Sequence, residues 1–463
     1  MRHVCKLALP RAAISRARPR LVGFAAASIV IFHRPAVFAA AFSSSPAATP
    51  SMMLQSSSSS SMVYKKSLPT TWSDILNKNN SFADNANHYL FPPLVSTTHK
   101  GSHGRIAIIG GSDRYCGAPY YAAMAALRCG VDLVTVLCAN EASTPIKCYS
   151  PELMVHAIYS IAEMDSLLGE EREVLDKMDE CKQREQEVMI MMDSLNEQSQ
   201  IIDDKKENMI NTIVNTIITQ YFPTIHAVCI GPGLGRHPLV FSIMSRVIQN
   251  AMESKLVLVL DADALYMLSL AEYKILLCEL LMYDKCVMTP NSMEMKRLTD
   301  ALSSSSTTPS STSSLASTNS IVHKLQNNNN IIIQKGVIDT INNYICTMQC
   351  KEEGGLKRCG GIGDVLSGSV TAFMAWNAIF EQQKKNTSDA TNADDDDDDD
   401  NIVQQQQRQQ QQRVFACWSA SVLVKKATKL AYEKKHRSMS AMNVLDEIGI
   451  MIYDMEEGLK QKI

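Results

Sequence analysis

The sequence predicts an α/β protein built on a mostly parallel sheet with helices on both faces. Three observations carry that expectation. Six short apolar runs, many of them β-branched, recur along the chain: "RIAIIGG", "DLVTVLC", "HAVCIGPG", "LVLVLDAD", "CVMTPN" and "NIIIQKG". They give way to Gly, Asp, Asn or Pro. Most are separated by stretches with helical spacing, such as "PYYAAMAALRCG". Strands that are apolar throughout must be covered on both sides, and alternating helices supply that cover. In such sheets ligands bind beyond the carboxyl ends of the strands. The polar residues that end these runs are therefore the candidates for chemistry.

The 463 residues suffice for one large domain with additions, or for two domains. A content of 45% apolar and 20% charged residues reads as globular. The formal net charge of -3 shows no nucleic-acid footprint, and a run of aspartates supplies much of it. The 13 cysteines form no CxxC pair, and the closest regular spacing is Cys346 to Cys350. A reducing compartment is expected, with neither a disulfide framework nor a zinc site.

Residues 1–72 read as a targeting or disordered segment, ahead of a folded domain over residues 73–463. No acidic residue precedes Asp74. Arg11, Arg16, Arg18 and Arg20 lead into "LVGFAAASIVIF", and a Ser/Ala-rich stretch follows. That composition suits a transit peptide; the apolar run is short for a membrane span but adequate for a signal core. Mitochondrion, plastid and a bipartite route all stay open, and Met52, Met53 and Met62 offer starts for a cytosolic form. Three segments read as insertions. Residues 163–220 are rich in Glu, Lys, Met and Gln with helical spacing, and suggest a helical hairpin whose methionines form a packing stripe. Residues 302–320 read as a Ser/Thr loop. Residues 384–413 contain seven consecutive aspartates and two glutamine quartets, and read as a disordered, solvated loop.

The strand ends offer distinct chemistries. Gly110 and Gly111 permit close backbone approach before a helix that starts near Ala118, although GxGxxG is missing. Gly231, Gly233 and Gly235 surround Pro232 in a rigid loop suited to a flat or phosphorylated ligand. Asp261 and Asp263 sit on either side of Ala262 at a strand end. One is expected to face the site, the other to cap the next helix. Asn291 and Glu294 fit a capping box, and equally a polar pair facing a metal-bound nucleotide. Lys335 and Gly336 close another strand, where a lysine can meet a phosphate or simply lie on the surface.

The stretch "EGGLKRCGGIGDVLSGSVTAF", Glu353 to Phe373, is a glycine-rich loop that opens a helix. Successive amides in such a loop form an anion nest, and the helix dipole adds to it. Asp364 stands at that positive end, where it is expected to stay ionised. Phosphoryl transfer needs an anion cradle, a cation and a carboxylate that orients the attacking oxygen. GxxxxGK[ST] is missing, so this is no P-loop.

Taken together, "GSDRYCGAPYYAA", "YSPELMVH", "GPGLGR", "DADAL", "TPNSMEMKRL", "QKGVID" and "KRCGGIGDVLSG" resemble the ATP-dependent (S)-NAD(P)H-hydrate dehydratase family of the ribokinase-like superfamily. The resemblance runs from about Ser73 to the C-terminus outside the insertions. It implies a ribokinase-like three-layer α/β/α sandwich with a mostly parallel central sheet. It implies a lyase that uses ATP, with Mg²⁺, to phosphorylate the hydroxyl of hydrated NADH or NADPH, so that phosphate leaves and the reduced ring returns. By position, Asp364 is then the base for the 6-hydroxyl. Gly360, Gly361 and Gly363 supply the anion hole. Lys335, Gly336, Val337, Ile338 and Asp339 line the ATP site. So do Gly354, Gly355, Leu356, Lys357, Arg358, Cys359 and Ile362. Gly233, Gly235, Asn291, Ser292, Met293, Glu294, Met295, Lys296 and Arg297 contact the hydrate, as does Asp364. Glu294 is the outer-sphere Mg²⁺ ligand. Ile362 stands where the family usually has glutamine, and Met295 where an aromatic is common. The partner that converts the R hydrate to S, an epimerase, is expected on a separate chain, and a homo-oligomer stays open. No nucleic-acid or membrane partner is implied.

Two other readings share these residues. One is a vitamin kinase of the same superfamily, acting on a hydroxymethylpyrimidine or hydroxyethylthiazole. The other is a non-catalytic nucleotide sensor that uses the insertions to bind partners. "NSMEMKRL" with "KRCGGIGD" favours the dehydratase over the first, and intact Asp364 opposes the second.

Overall fold

In the computed structural model the described residues are 68–77, 90–182, 188–303, 329–388 and 399–461. Residues 1–67 of the expected address segment, the Ser/Thr loop beyond 303 and most of the aspartate run lie outside them, whereas residues 68–72 are described and Trp72 is buried in the core. Nine strands form a single sheet in the order β3-β2-β1-β4-β5-β6-β7-β8-β9. The strands are β1 Arg105–Ile109, β2 Leu133–Ala139, β3 Met154–Tyr159, β4 Ala227–Ile230, β5 Val257–Leu260, β6 Cys286–Met288, β7 Ile331–Gln334, β8 Asp339–Asn342 and β9 Thr347–Cys350. Pairing is parallel from β3 through β7 and antiparallel for β7-β8-β9. The fold is α/β. All six apolar runs read from the sequence are strands. The order reverses between β1 and β4, which opens a crevice at their carboxyl ends.

The helices are α1 Trp72–Leu76, α2 Gly117–Cys129, α3 Asn140–Tyr149, α4 Ile161–Lys182, α5 Val188–Gln220, α6 Pro238–Glu253, α7 Ala262–Leu268, α8 Lys274–Met282, α9 Ser292–Ser303, α10 Ile362–Ser388, α11 Asp399–Lys435 and α12 Ala441–Lys460. Two apolar layers sandwich the sheet, and strand alternation divides it between them. Ile106, Ile108, Val134, Val136, Cys229, Val259 and Ile333 face a core filled by α2, α10, α11 and α12. Ala107, Ile109, Leu137, Val228, Ile230, Leu258 and Ile332 face the opposite core under α6, α7 and α8. On the first face α10 lies hard against α2: a Cβ on Gly368 would stand 1.9 Å from the Ala122 carbonyl oxygen.

The helix pair α4 and α5 carries its own small core of Val174, Cys181, Leu195 and Ile202, with Met178 and Met192 packed on it. The glutamine quartets are not a loop. They belong to α11, whose inner side buries Gln410 and Arg413. Their correction has a simple cause. A polar sequence still forms helix where one face finds buried polar partners, here Glu381 and Asp284 for Arg413. The twelve described cysteines are free. Among the described residues no helix is long and apolar enough to cross a membrane.

Candidate active site

At the carboxyl ends of β5, β6 and β7 the chain brings four charged side chains together. Lys335 follows β7, its backbone amide held by the Pro290 carbonyl at 2.9 Å. Its ammonium donates to Asp261 Oδ1 at 2.8 Å and lies 4.0 Å from Glu294 Oε2. It also stands 3.6 Å from the point where a side chain on Gly363 would begin, which puts it beside the glycine cradle. Burial works against the Lys335 charge, but Asp261 and then Glu294 outweigh it and hold its pKa above the ordinary value.

Asp364 lies in the first turn of α10. The helix end favours a carboxylate there, yet burial pushes the Asp364 pKa up to about 7. The charge of Asp261 adds to the rise, Lys335 opposes it, and Asp263 adds again. The expectation of a simply ionised Asp364 is thus corrected: desolvation and two like charges outweigh the dipole. Glu294 is raised too, by burial first, with Lys335 opposing.

The chain turns sharply between the two aspartates. Ala262 between them has φ 48°, in the left-handed region. A non-glycine residue there costs about 1–2 kcal/mol and is tolerated where the surroundings enforce it. Asp261 follows β5 and Asp263 lies in the first turn of α7, and both carboxylates raise the Asp364 pKa. Neither serves as the expected helix cap, because Asp261 sits at the N-cap of α7 without a side-chain cap bond. Asp263 instead accepts from the Gly235 amide at 3.0 Å and from Arg236 Nε at 3.2 Å.

Asn291 and Glu294 do form the expected capping box. Asn291 Oδ1 accepts from the amides of Met293 and Glu294, and Glu294 Oε2 accepts from the Asn291 amide at 2.8 Å. Met295 is half-buried against the core, whereas Met293, Lys296 and Arg297 face outward.

Gly361 makes the turn into α10 with φ 96°. A Cβ there would meet Ala441 Cβ at 2.7 Å and the Tyr121 ring at 2.8 Å, so only glycine fits. The amides at the start of α10 have no partner within the helix, the usual condition of an anion-binding helix end. Ile362 packs at the edge of the core. Val337 and Leu356 are 80% and 82% exposed, apolar surfaces left bare on either side of the cradle. Asp339 accepts from the Gly336 amide and is faced by Lys425 at 3.5 Å, with burial raising its pKa against that cation. Lys357 donates to the Arg437 carbonyl at 2.6 Å, tying the "GGLKRC" loop down.

Sequence reasoning missed several of these residues. Lys425 lies in α11, in "VLVKKATKL", which carries no signal of a site. Arg236 and Tyr266 were also passed over. The Arg236 guanidinium lies 3.8 Å from the Tyr266 ring centre, and Arg297 reaches the same ring at 5.8 Å.

Comparison with known proteins identifies the family. The family profile described as NAD(P)H-hydrate dehydratase matches residues 106–180 and 187–448. The chain belongs to the NAD(P)H-hydrate dehydratase family. The ATP-dependent (S)-NAD(P)H-hydrate dehydratase of Rattus norvegicus is 32% identical over 360 residues, covering 78% of this chain and 81% of that protein. Its counterpart from Neurospora crassa is 30% identical over 363 residues, covering 78% and 89%. Among solved structures, the ADP/ATP-dependent NAD(P)H-hydrate dehydratase from Bacillus subtilis, co-crystallized with ATP/Mg²⁺, is 16% identical over 81% of this chain and 97% of that one, with a TM-score of 0.45. The family makes this chain an ATP-dependent lyase that acts on hydrated NAD(P)H.

Proposed function

We propose that this chain restores NADH and NADPH from their S hydrates with ATP, and that Asp364 is the base for the reacting hydroxyl. The observation that carries the reading is the buried Asp364 at the N-terminus of α10, beside the Gly361 turn and the Lys335 ammonium. A carboxylate pushed up to about 7 accepts a proton near neutral pH far more readily than a surface aspartate. On this reading Asp364 takes the proton of the 6-hydroxyl. The freed oxygen attacks the γ-phosphorus of ATP, the new O–P bond forms, and the P–O bond to ADP breaks. Phosphate then leaves with the electron pair of the carbon–oxygen bond. A proton leaves the neighbouring carbon, and the ring double bond returns.

The other residues take supporting roles. Gly360, Gly361 and Gly363 cradle the transferring phosphoryl group. Lys335 to Asp339 and Gly354 to Gly363 hold ATP, with Lys335 adding positive charge where negative charge gathers. Gly233, Gly235 and Asn291 to Arg297 hold the hydrate. Among the described residues no group of three His, Cys, Asp or Glu side chains is arranged to hold a metal ion alone. Mg²⁺ would be bound chiefly by nucleotide phosphates and water, with Glu294 reaching it through a water. When bound, Mg²⁺ neutralises phosphate charge. The R hydrate would reach this chain through a separate epimerase. The Arg- and Ser-rich segment before residue 72 would direct the protein to an organelle.

The test is direct. Purified protein is mixed with S-form NADH hydrate, ATP and Mg²⁺, and absorbance at the reduced-nicotinamide band is followed, beside Asp364→Asn. Recovery by wild type alone supports the reading. No recovery, with ATP consumed on a pyrimidine or thiazole alcohol, moves the chain to the vitamin kinases. Stoichiometric binding without turnover makes it a sensor.

A further inference from the structure

Between the Gly231–Gly235 loop and α9 lies an arrangement that phosphoryl transfer does not use. Tyr266 projects from α7, and α7 packs against α9, which carries Arg297. Arg236 stacks on the Tyr266 ring at 3.8 Å and Arg297 approaches it at 5.8 Å, both within cation–π range. Two guanidiniums on one ring would repel each other unless something anionic joined them. Asp263 answers part of that charge: its Oδ1 accepts from Arg236 Nε at 3.2 Å, and its Oδ2 is taken by the Gly235 amide. Only one edge of the Arg236 fork is committed by these bonds. Arg297 is exposed on α9. Asp263 answers Arg236, while Arg297, which also acts on Glu294, presents its fork at the surface. A planar fork placed over an aromatic ring is pre-organised for a phosphate, which accepts two parallel N–H bonds from such a fork.

We propose that Arg236, Tyr266 and Arg297 form the phosphate-recognising part of the hydrate site and bind a phosphate of the dinucleotide away from the reacting ring. The inference rests on the dehydratase reading above. The Gly233 and Gly235 loop and the start of α9 flank the triad, so a dinucleotide lying along them extends over Tyr266. Both hydrates carry a pyrophosphate, but only hydrated NADPH carries a 2′-phosphate. The triad therefore either anchors both substrates or sets a preference for one. Because it touches no reacting atom, it contributes binding shared by ground state and transition state. Its loss should raise KM more than it lowers kcat.

The experiment measures kcat and KM for S-form NADH hydrate and NADPH hydrate with wild type, Arg236→Gln, Arg297→Gln and Arg236→Lys. Thermal unfolding of each protein confirms folding. A charge-assisted hydrogen bond to phosphate is worth on the order of a tenfold to hundredfold change in KM. Equal rises for both hydrates assign the triad to the pyrophosphate. A rise with NADPH hydrate alone assigns it to the 2′-phosphate. Arg236→Lys should recover only part of the loss, since an ammonium cannot form the fork. Unchanged KM for both hydrates in folded variants overturns the inference. Failure of wild type to restore either hydrate overturns the dehydratase reading instead, so the two failures are distinct.

Discussion

The Lys335 ammonium sits 2.8 Å from Asp261 Oδ1 although 74 residues separate them, an ion pair inside the carboxylate cluster around Asp364. Asp261 is 2% exposed, and Glu294 Oε2 lies 4.0 Å from the same ammonium. Removing the cation leaves buried carboxylates uncompensated, a change that costs about 3–5 kcal/mol in comparable pairs. Lys335→Met should therefore lower stability by about that amount in urea denaturation and abolish turnover. It should also push Asp364 further up, because Lys335 opposes its rise. A Lys335→Met protein as stable as wild type would show that the pair is incidental.

Asp364 gives a pH dependence with a definite sign. If its carboxylate is the base, activity needs the ionised form, so kcat/KM should rise with pH through about 7 and fall away on the acid side. Stability should run the other way. The folded pKa lies above the ordinary 3.8, so the folded protein holds this proton longer than the unfolded chain. A penalty for ionising Asp364 thus grows as pH climbs from about 4 to about 7, reaching at most about 4 kcal/mol at roughly 1.4 kcal/mol per unit. Asp364→Asn removes that charge. The variant should be inactive, yet more stable than wild type at pH 8 and nearly equal to it at pH 4.5. Melting temperatures across that range test it; a gain that does not grow with pH argues against the buried charge.

The Gly361 turn makes a third test. Gly361→Ala must carry a side chain at φ 96° into Ala441 and Tyr121, so the start of α10 has to shift. The strain and the overlap together should cost about 1–3 kcal/mol. Because the displaced amides are those assigned to the phosphoryl group, ATP turnover should fall by more than a hundredfold, as when an oxyanion donor is lost. Titration calorimetry with ATP, beside the turnover assay, separates lost binding from lost chemistry. Normal ATP binding and turnover in a folded Gly361→Ala would remove the cradle from the mechanism.

Much of this architecture is legible in the sequence because its causes are local. The six apolar strands announce themselves, being buried on both faces, and the capping box at Asn291 and Glu294 is written in four consecutive residues. β3 is harder to read. At the sheet edge its Met154 and His156 are exposed, so no apolar run marks it. β8 and β9 are four-residue strands with polar alternate positions, which exist by pairing with β7 and packing under α11. The cluster itself was legible only as separate strand ends. Nothing local to Asp261 shows that Lys335 will neutralise it. Nothing in "DADAL" shows that Ala262 will turn left-handed or that both carboxylates will act on Asp364. Arg236 and Tyr266 meet only because the loop after β4 folds against α7.

The glutamine-rich start of α11 shows the same limit at the opposite end of the sheet, and it yields a prediction that separates stability from catalysis. Arg413 follows the second glutamine quartet, where composition alone suggests solvent, yet it is 3% exposed. Its guanidinium forks onto Glu381 with bonds of 2.9 and 3.0 Å, and it donates to Asp284 Oδ2 at 2.6 Å. Gln410 extends the network, accepting from Asn343 at 3.2 Å and donating to Asp284. The network ties α10, α11, the turn after β8 and the start of β6 together, well away from the carboxyl-end cluster. Arg413→Met leaves Glu381 buried without its partner and should cost about 3–5 kcal/mol. Asp284 is more exposed and can return to water. Adding Glu381→Leu should recover much of that loss, since an apolar pair of similar volume often replaces a buried ion pair without penalty. KM for ATP and for the hydrate should stay within about twofold in both variants at temperatures where they remain folded. Chemical denaturation of the two variants, run beside the turnover assay, checks both halves. A double variant no more stable than Arg413→Met would mean that Arg413 acts mainly through Asp284 and Gln410.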